Sequence, residues 1–271
     1  MVAVTYYDYA SISRHHRYIR SKFRHKSLYL CALLVFLFSD TFKSLYLFCG
    51  LMSPSKPWII IPAYNEEKTL ATVIEKCLTY SSQIVVVIDG CKDNTTTVAR
   101  RYPVYVLEHL VNLGKGAALK TGCDFAVQRG AEQLIVIDAD GQHDPQKIPL
   151  FLKALHQCDV VLGYRTFTRT MPFVFRWGNV FINYCIQLVY GMTLRDTQCG
   201  YRAFTAKAYQ KIRWRASDYS MESEMIANMG NNHLSSAEVP IETVYLDSYK
   251  GTTLIDGIKI VFDLLFWRLT R

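Results

Sequence analysis

Ile135-Val136-Ile137-Asp138-Ala139-Asp140-Gly141-Gln142-His143-Asp144-Pro145 is an apolar strand that delivers two acids, one residue apart, into a loop. Side chains alternate along a strand, so Asp138 and Asp140 point the same way in an extended segment, and Ala139 keeps the backbone between them uncrowded. Two hard oxygen ligands facing one cleft make an address for Mg2+ or Mn2+ together with a diphosphate. Such ions take one or two carboxylates and fill their remaining positions with water and phosphate oxygens. Gln142 is a candidate third ligand. A plainer reading is a strand end closed by an acidic turn, and it suits Asp144 and Pro145, the types expected at the cap and first position of a helix. For Asp138 and Asp140 the motifs elsewhere in the chain must decide.

On both sides of this stretch strand and helix signals alternate from residue 57. Trp58-Ile59-Ile60-Ile61 ends at Pro62. A helical pattern follows with Leu70, Val73, Ile74 and Cys77 on one face, Asn65 as N-cap and Glu66 and Glu67 in the first turn. A second strand, Ile84 to Ile88, ends at Asp89-Gly90, after which Asp93 or Asn94 opens another helix. Val104 to Leu107 leads through Asn112-Leu113-Gly114-Lys115-Gly116 into a helix holding Ala117, Ala118 and Phe125. The strand before Asp138 and the run Val160-Val161-Leu162-Gly163 complete five units. This alternation predicts an α/β protein with a mainly parallel sheet and with ligands at the carboxyl ends of the strands. The loops of interest are then 62–66, 89–93, 112–116, 138–142 and 163–165. Gly114-Lys115-Gly116 is not a P-loop, because His109 stands where its first glycine would be and Gly116 follows the lysine in place of Ser or Thr. Leu119 likewise occupies the third glycine position of a dinucleotide fingerprint.

With 271 residues and 50% hydrophobic content, the chain suits one large α/β domain or two small ones. Its eight cysteines contain no C-x-x-C pair, which excludes a zinc knuckle and a compact disulfide scaffold and points to reduced thiols in a cytosolic setting. The net charge is +8, and residues 1–51 hold seven Lys/Arg against Asp8 and Asp40. The remaining body is nearly balanced and gives no case for nucleic acid. In residues 1–51 a basic, His-rich stretch, Arg14 to Lys26, precedes an apolar run, Leu28 to Phe38, that is too short to span a bilayer. Extending the run would put Asp40 and Lys43 near mid-membrane at roughly 2.5–3.5 kcal/mol each. The order also fits a signal peptide, but no A-x-A-like site follows. Met52-Ser53-Pro54-Ser55-Lys56-Pro57 makes a short leader to the first strand, so we expect translation to start at Met52, with an N-terminal membrane anchor as the competing arrangement.

Five ordered motifs resemble inverting family 2 glycosyltransferases of the dolichyl-phosphate mannose or glucose synthase-like branch. They are Ile61-Pro62-Ala63-Tyr64-Asn65-Glu66, Asp89-Gly90-x-x-Asp93, Asn112-x-Gly114-Lys115-Gly116, Asp138-Ala139-Asp140-Gly141-Gln142 and Asp196-Thr197-Gln198-Cys199-Gly200-Tyr201-Arg202-Ala203-Phe204. The resemblance covers about residues 57–247. It implies a Rossmann-like nucleotide-diphospho-sugar transferase domain over 52–247, with a donor half at about 57–163 and an acceptor region at about 164–247. It assigns Pro62, Ala63, Tyr64, Glu66, Asp89, Lys115, Asp138 and Ala139 to the nucleotide sugar, and Asp138, Asp140 and Gln142 to Mg2+ or Mn2+. Arg165, Arg176 and Arg202 resemble the arginines that bind an acceptor phosphate, for which a guanidinium has matching bidentate geometry. Asp140, Asp196 and Arg202 form the implied catalytic set, with Asp196 organising the arginines. One departure stands out. Ile88 and Cys91 replace an Asp and a Ser in the second loop, which leaves the nucleotide preference open.

In the acceptor region, Tyr164 to Trp177 interleaves five aromatics and Met171 with Arg165, Arg169 and Arg176. This mixture suits a membrane interface or anionic headgroup, and the near-neutral body with the apolar stretch Val174 to Tyr190 favours lipid over nucleic acid. Glu222 and Glu224 could line the acceptor cleft, although acids that start a helix usually cap it or face water. His143 reads as a loop residue. Residues 248–271 form an amphipathic helix by pattern, docked on the body or lying in a membrane interface. The implied activity is inverting, metal-dependent transfer of one sugar from a nucleotide-diphosphate sugar to a polyprenyl phosphate (dolichyl or undecaprenyl) at the cytoplasmic face of a membrane, held there peripherally or by an N-terminal anchor. A transferase acting on a saccharide or lipid hydroxyl is one alternative. A non-catalytic nucleotide-sugar or lipid-headgroup binding protein is the other.

Overall fold

The computed structural model describes residues 56–165, 173–218, 220–242, 263–264 and 267–268. The expectations for residues 1–51 lie outside them, as does most of the 248–271 helix. Residues 263–264 and 267–268 are helical, and Leu264 is buried in the core.

The strands form where the apolar runs are unbroken. β1 (Trp58–Ala63) and β2 (Ile84–Asp89) have both faces covered, so Ile and Val occupy consecutive positions without polar alternation. Ile60, Val85 and Val87 face one core, whereas Ile59, Ile61, Ile84 and Val86 face a second on the other side. The first core is roofed by α3 (Lys115–Gln128), α5 (Phe173–Tyr190), α6 (Ala206–Ile212) and α7 (Met221–Asn231). The second is roofed by α1 (Leu70–Leu78), α2 (Thr95–Ala99) and α4 (Ile148–Leu155). The remaining strands are β3 (Tyr105–His109), β4 (Gln133–Val136), β5 (Val160–Arg165), β6 (Arg202–Thr205) and β7 (Ser236–Ile241).

Among the described residues these make one seven-stranded sheet in the order β3-β2-β1-β4-β6-β5-β7. β1 pairs in parallel with β2 and β4, β2 with β3, and β5 with β7, as expected of a mainly parallel sheet. β6 runs against both of its neighbours, with Arg202 opposite Val136 of β4 and Leu162 of β5. The sequence reading did not anticipate β6 or β7. β6 is four residues long and opens with a charged side chain, so nothing in its pattern separates it from a loop.

Two local expectations need revision and two hold. Asn65 is not the N-cap of α1; it has φ 55° and its side-chain oxygen accepts from Lys92 N at 2.9 Å, while the helix starts at Leu70 behind Thr69. Residues 65–67 instead fasten the β1 loop to the β2 loop, with Glu66 N donating to Thr95 Oγ1 (2.8 Å) and Asn94 N to Glu67 Oε2 (3.0 Å). Asn94 occupies the N-cap position of α2 without a side-chain cap bond, and the carboxylate that opens the helix is that of Asp93, which accepts from Thr95 N at 3.0 Å. Asp144 accepts from Gln146 N and caps the 3-10 turn that starts at Pro145, as expected.

Candidate active site

β4 ends at Val136, and the next residues carry Asp138 and Asp140 out of the sheet, partly buried, on either side of the buried Ala139. Lys115, the first residue of α3, reaches Asp138 with both oxygens in range, Nζ lying 2.9 Å from Oδ1 and 3.1 Å from Oδ2. The same ammonium is 3.1 Å from Glu222 Oε1 on the first turn of α7. Burial resists ionisation of Asp138, but Lys115 and His143 outweigh it and hold the carboxyl below its usual range. At Asp140 burial and the charge of Asp138 act together and hold the carboxyl above its usual range, although Gln142 N donates to it at 3.0 Å. The pair therefore concentrates negative charge that one ammonium only partly balances.

Among the described residues no three His, Cys, Asp or Glu side chains gather as a metal cage. The donor set of Asp138, Asp140 and the Gln142 amide still fits a hard divalent ion, which needs only one or two protein carboxylates and completes its shell with water and phosphate. Gly200 leaves space at this point. A Cβ there would lie 2.5 Å from Asp138 Oδ2 and 2.9 Å from Lys115 Nζ. Neither Gly200 nor the buried Glu222 was singled out for the acid pair in the sequence; the glycine's only signal was its place in the fifth motif. His143 is buried, stacks on Tyr201 at 5.5 Å, and has Nδ1 3.8 Å from Asp138 Oδ2, so it belongs to the site rather than to a free loop.

The donor-side residues divide. Tyr64 is exposed beyond the end of β1, with Pro62 and Glu66 half-buried and Ala63 buried. Cys91, which stands where the resemblance expects Ser, accepts from Asn65 N (3.2 Å) and donates to Ala63 O (3.4 Å). Asp89 is turned inward. Its oxygens accept from Leu113 N (2.9 Å) and Gly114 N (2.8 Å), and it meets His109 Nδ1 at 2.7 Å, so it is buried and anchors the 112–116 loop. That loop lies under residues 216–218: a Cβ on Gly114 or Gly116 would come within 2.5 Å of the Ser217 or Ala216 carbonyl, and Trp214 Nε1 donates to Gly116 O at 2.7 Å. The two glycines thus serve backbone packing, and the start of α3 is covered.

On the acceptor side, Arg165 at the end of β5 grips Asp196 with Nε to Oδ2 at 2.6 Å and Nη2 to Oδ1 at 3.1 Å. Burial opposes the charge on Asp196, but this fork and the backbone N–H groups of Arg165 and Gln198 hold its carboxyl below the usual range. Arg202 does not fit the acceptor role expected of it. It is 2% exposed, and its guanidinium donates to the carbonyls of Cys199 (2.9 Å), Glu222 (3.1 Å) and Thr197 (2.9 Å). Arg176 lies in α5, and its side chain falls outside the described residues. Glu224 is buried as well and accepts from Arg215 N (3.0 Å) and Ala216 N (2.8 Å), so it neither caps nor faces water.

A family model described as glycosyl transferase family 2 matches residues 58–213, more than half of the chain. Over 223 residues the chain is 34% identical to an uncharacterized protein of Methanocaldococcus jannaschii, covering 78% of this chain and 92% of that one. It is 30% identical over 242 residues to the UDP-N-acetylglucosamine–dolichyl-phosphate N-acetylglucosaminyltransferase of Methanococcus voltae, covering 79% and 96%. Among solved structures, the glucosyl-3-phosphoglycerate synthase of Mycobacterium tuberculosis, in complex with Mg2+ and uridine diphosphate, superposes with a TM-score of 0.64 at 18% identity over 79% of each chain.

Proposed function

The chain belongs to glycosyl transferase family 2 and is a glycosyltransferase of the nucleotide-sugar type; on that footing we propose that it moves one sugar from a nucleotide-diphosphate donor to a polyprenyl phosphate at the cytoplasmic face of a membrane. The observation that carries the acceptor assignment is the state of the carboxylates in the 196–224 segment. Asp196 is gripped by Arg165, Glu222 Oε1 by Lys115 and Glu224 by two backbone N–H groups, so all three carboxylates are buried and engaged and none stands open in the cleft beside an incoming hydroxyl. A sugar hydroxyl needs such a base during attack. A phosphate monoester, whose second ionisation lies near pKa ~6, presents an oxygen that is already anionic at neutral pH. The relative from Methanococcus voltae, by its name, uses dolichyl phosphate.

In this reading Asp138, Asp140 and Gln142 would hold Mg2+ or Mn2+, and the ion would supply charge neutralisation to the departing diphosphate. Arg165, fixed in orientation by Asp196, presents donors toward the acceptor phosphate, and Tyr64, Pro62 and Ala63 border the nucleotide. Positioning of the phosphate oxygen for attack from the face opposite the diphosphate inverts the configuration. No described helix is long and apolar enough to cross a membrane. Phe181, Tyr184 and Leu188 of α5 are 58%, 61% and 74% exposed at helical spacing, which suits contact with a bilayer surface.

A hydroxyl acceptor is the second reading. It is favoured by Asp140, a half-buried carboxyl that burial and the neighbouring Asp138 charge hold above its usual range. The experiment that separates them incubates the protein and Mn2+ with a panel of nucleotide sugars and either a short-chain polyprenyl phosphate or the matching polyprenol, with mass analysis of products. Sugar transfer to the phosphate alone is the expected result. Transfer to the polyprenol or to a saccharide at comparable rate would replace this reading with the second.

A further inference from the structure

Lys115 holds both oxygens of the acid that the proposed metal needs, so a divalent ion competes with the ammonium for Asp138. Two cations at contact distance repel strongly in a partly desolvated cleft. The structure also provides somewhere for the ammonium to go. Glu222 Oε1 already touches Nζ at 3.1 Å, and Glu222 Oε2 is buried with no hydrogen-bond partner among the described residues. A buried carboxylate oxygen left unmatched is costly, and a small shift of Nζ away from Asp138 would bring it to the second oxygen. The missing Cβ at Gly200, 2.9 Å from Nζ, keeps room beside the ammonium for that shift.

We propose that Lys115 is a movable counter-cation which rests on Asp138 in the metal-free protein and withdraws onto Glu222 when a divalent cation binds, so that Glu222 is a positioning residue for metal loading. The inference rests on the metal assignment above and adds to it a partner on a different helix, 84 positions from Asp138 in sequence. It also ties metal occupancy to α7, because the Glu222 carbonyl accepts from Arg202 in the same turn.

The test is a double-mutant cycle read by Mn2+ binding to the full chain, with free Mn2+ followed by electron paramagnetic resonance and no donor or acceptor present. Lys115→Met removes the competitor and is expected to tighten Mn2+ binding about tenfold. Glu222→Gln takes away the site of withdrawal and is expected to weaken Mn2+ binding about tenfold in the wild-type background, yet by less than about threefold when Lys115 is already Met. An equal loss in both backgrounds would show that Glu222 acts through its field alone, and the relay would be wrong. Absence of Mn2+ binding to the wild type under all conditions would remove the metal assignment and the relay together, a result distinct from equal losses. Should Lys115→Met fail to fold, Lys115→Gln, which keeps a polar group facing both acids, takes its place in the cycle.

Discussion

Asp140 and Arg202 carry opposite expectations although both fall in motifs. Asp140 ionises against burial and against Asp138, so its charge weakens the fold that holds it. Asp140→Asn is expected to abolish transfer while leaving the melting temperature equal to or above wild type; turnover near wild type at limiting Mn2+ would sink the metal assignment. Arg202 is the reverse case, a buried cation whose removal leaves the carbonyls of Thr197, Cys199 and Glu222 without their donor. Each such loss costs about 1–3 kcal/mol, so Arg202→Met should lower the unfolding free energy in urea by at least ~3 kcal/mol. A variant of normal stability with a raised KM for the acceptor would return Arg202 to the acceptor site. The sequence makes these residue types and spacings visible, and for Asp138, Asp140 and Gln142 that sufficed to bring them into one loop. It could not show that Asp89 and Arg202 turn inward, because their partners are backbone groups supplied by segments up to 25 positions away.

The elements were legible in proportion to the length of their apolar runs. β1 and β2, with consecutive buried Ile and Val, and α1, with Leu70, Val73, Ile74 and Cys77 on its inner face, fall where periodicity puts them. β6 and β7 have no such run. What identifies β6 as a strand is its pairing with β4 and β5, a long-range fact absent from any local window. The fork between the end of β5 and the loop before β6 gives a pH expectation with a definite sign. Asp196 has a folded-state pKa below its unfolded value, so its contribution to stability is fully present above the unfolded carboxylate pKa of about 4 and is lost as pH falls through the lower, folded value. In urea titrations Asp196→Asn should therefore be less stable than wild type at pH 6, with a shallower loss below about pH 4. Parallel acid limbs for the two proteins would show that the fork adds nothing to stability.

At the level of the entire protein, the exposed Phe181, Tyr184 and Leu188 give a test of membrane contact that leaves the cleft untouched. Replacing all three with serine is expected to reduce co-sedimentation with anionic vesicles several-fold without altering turnover on a short-chain acceptor in solution. Unchanged vesicle binding would place the contact elsewhere. The sheet order has another consequence, one of timing. β5 is made before β6 and β7, yet among the described residues these are its only ladder partners, and β4 likewise waits for β6 on one side. A chain emerging from the ribosome therefore carries β5 as an unmatched ribbon for about forty residues until β6 is complete, and with one edge still open until β7 follows, exposed meanwhile to wrong pairing. A fragment ending near residue 163 cuts through β5 and should aggregate, whereas one that runs past Ile241 has every strand it needs to close the sheet during synthesis.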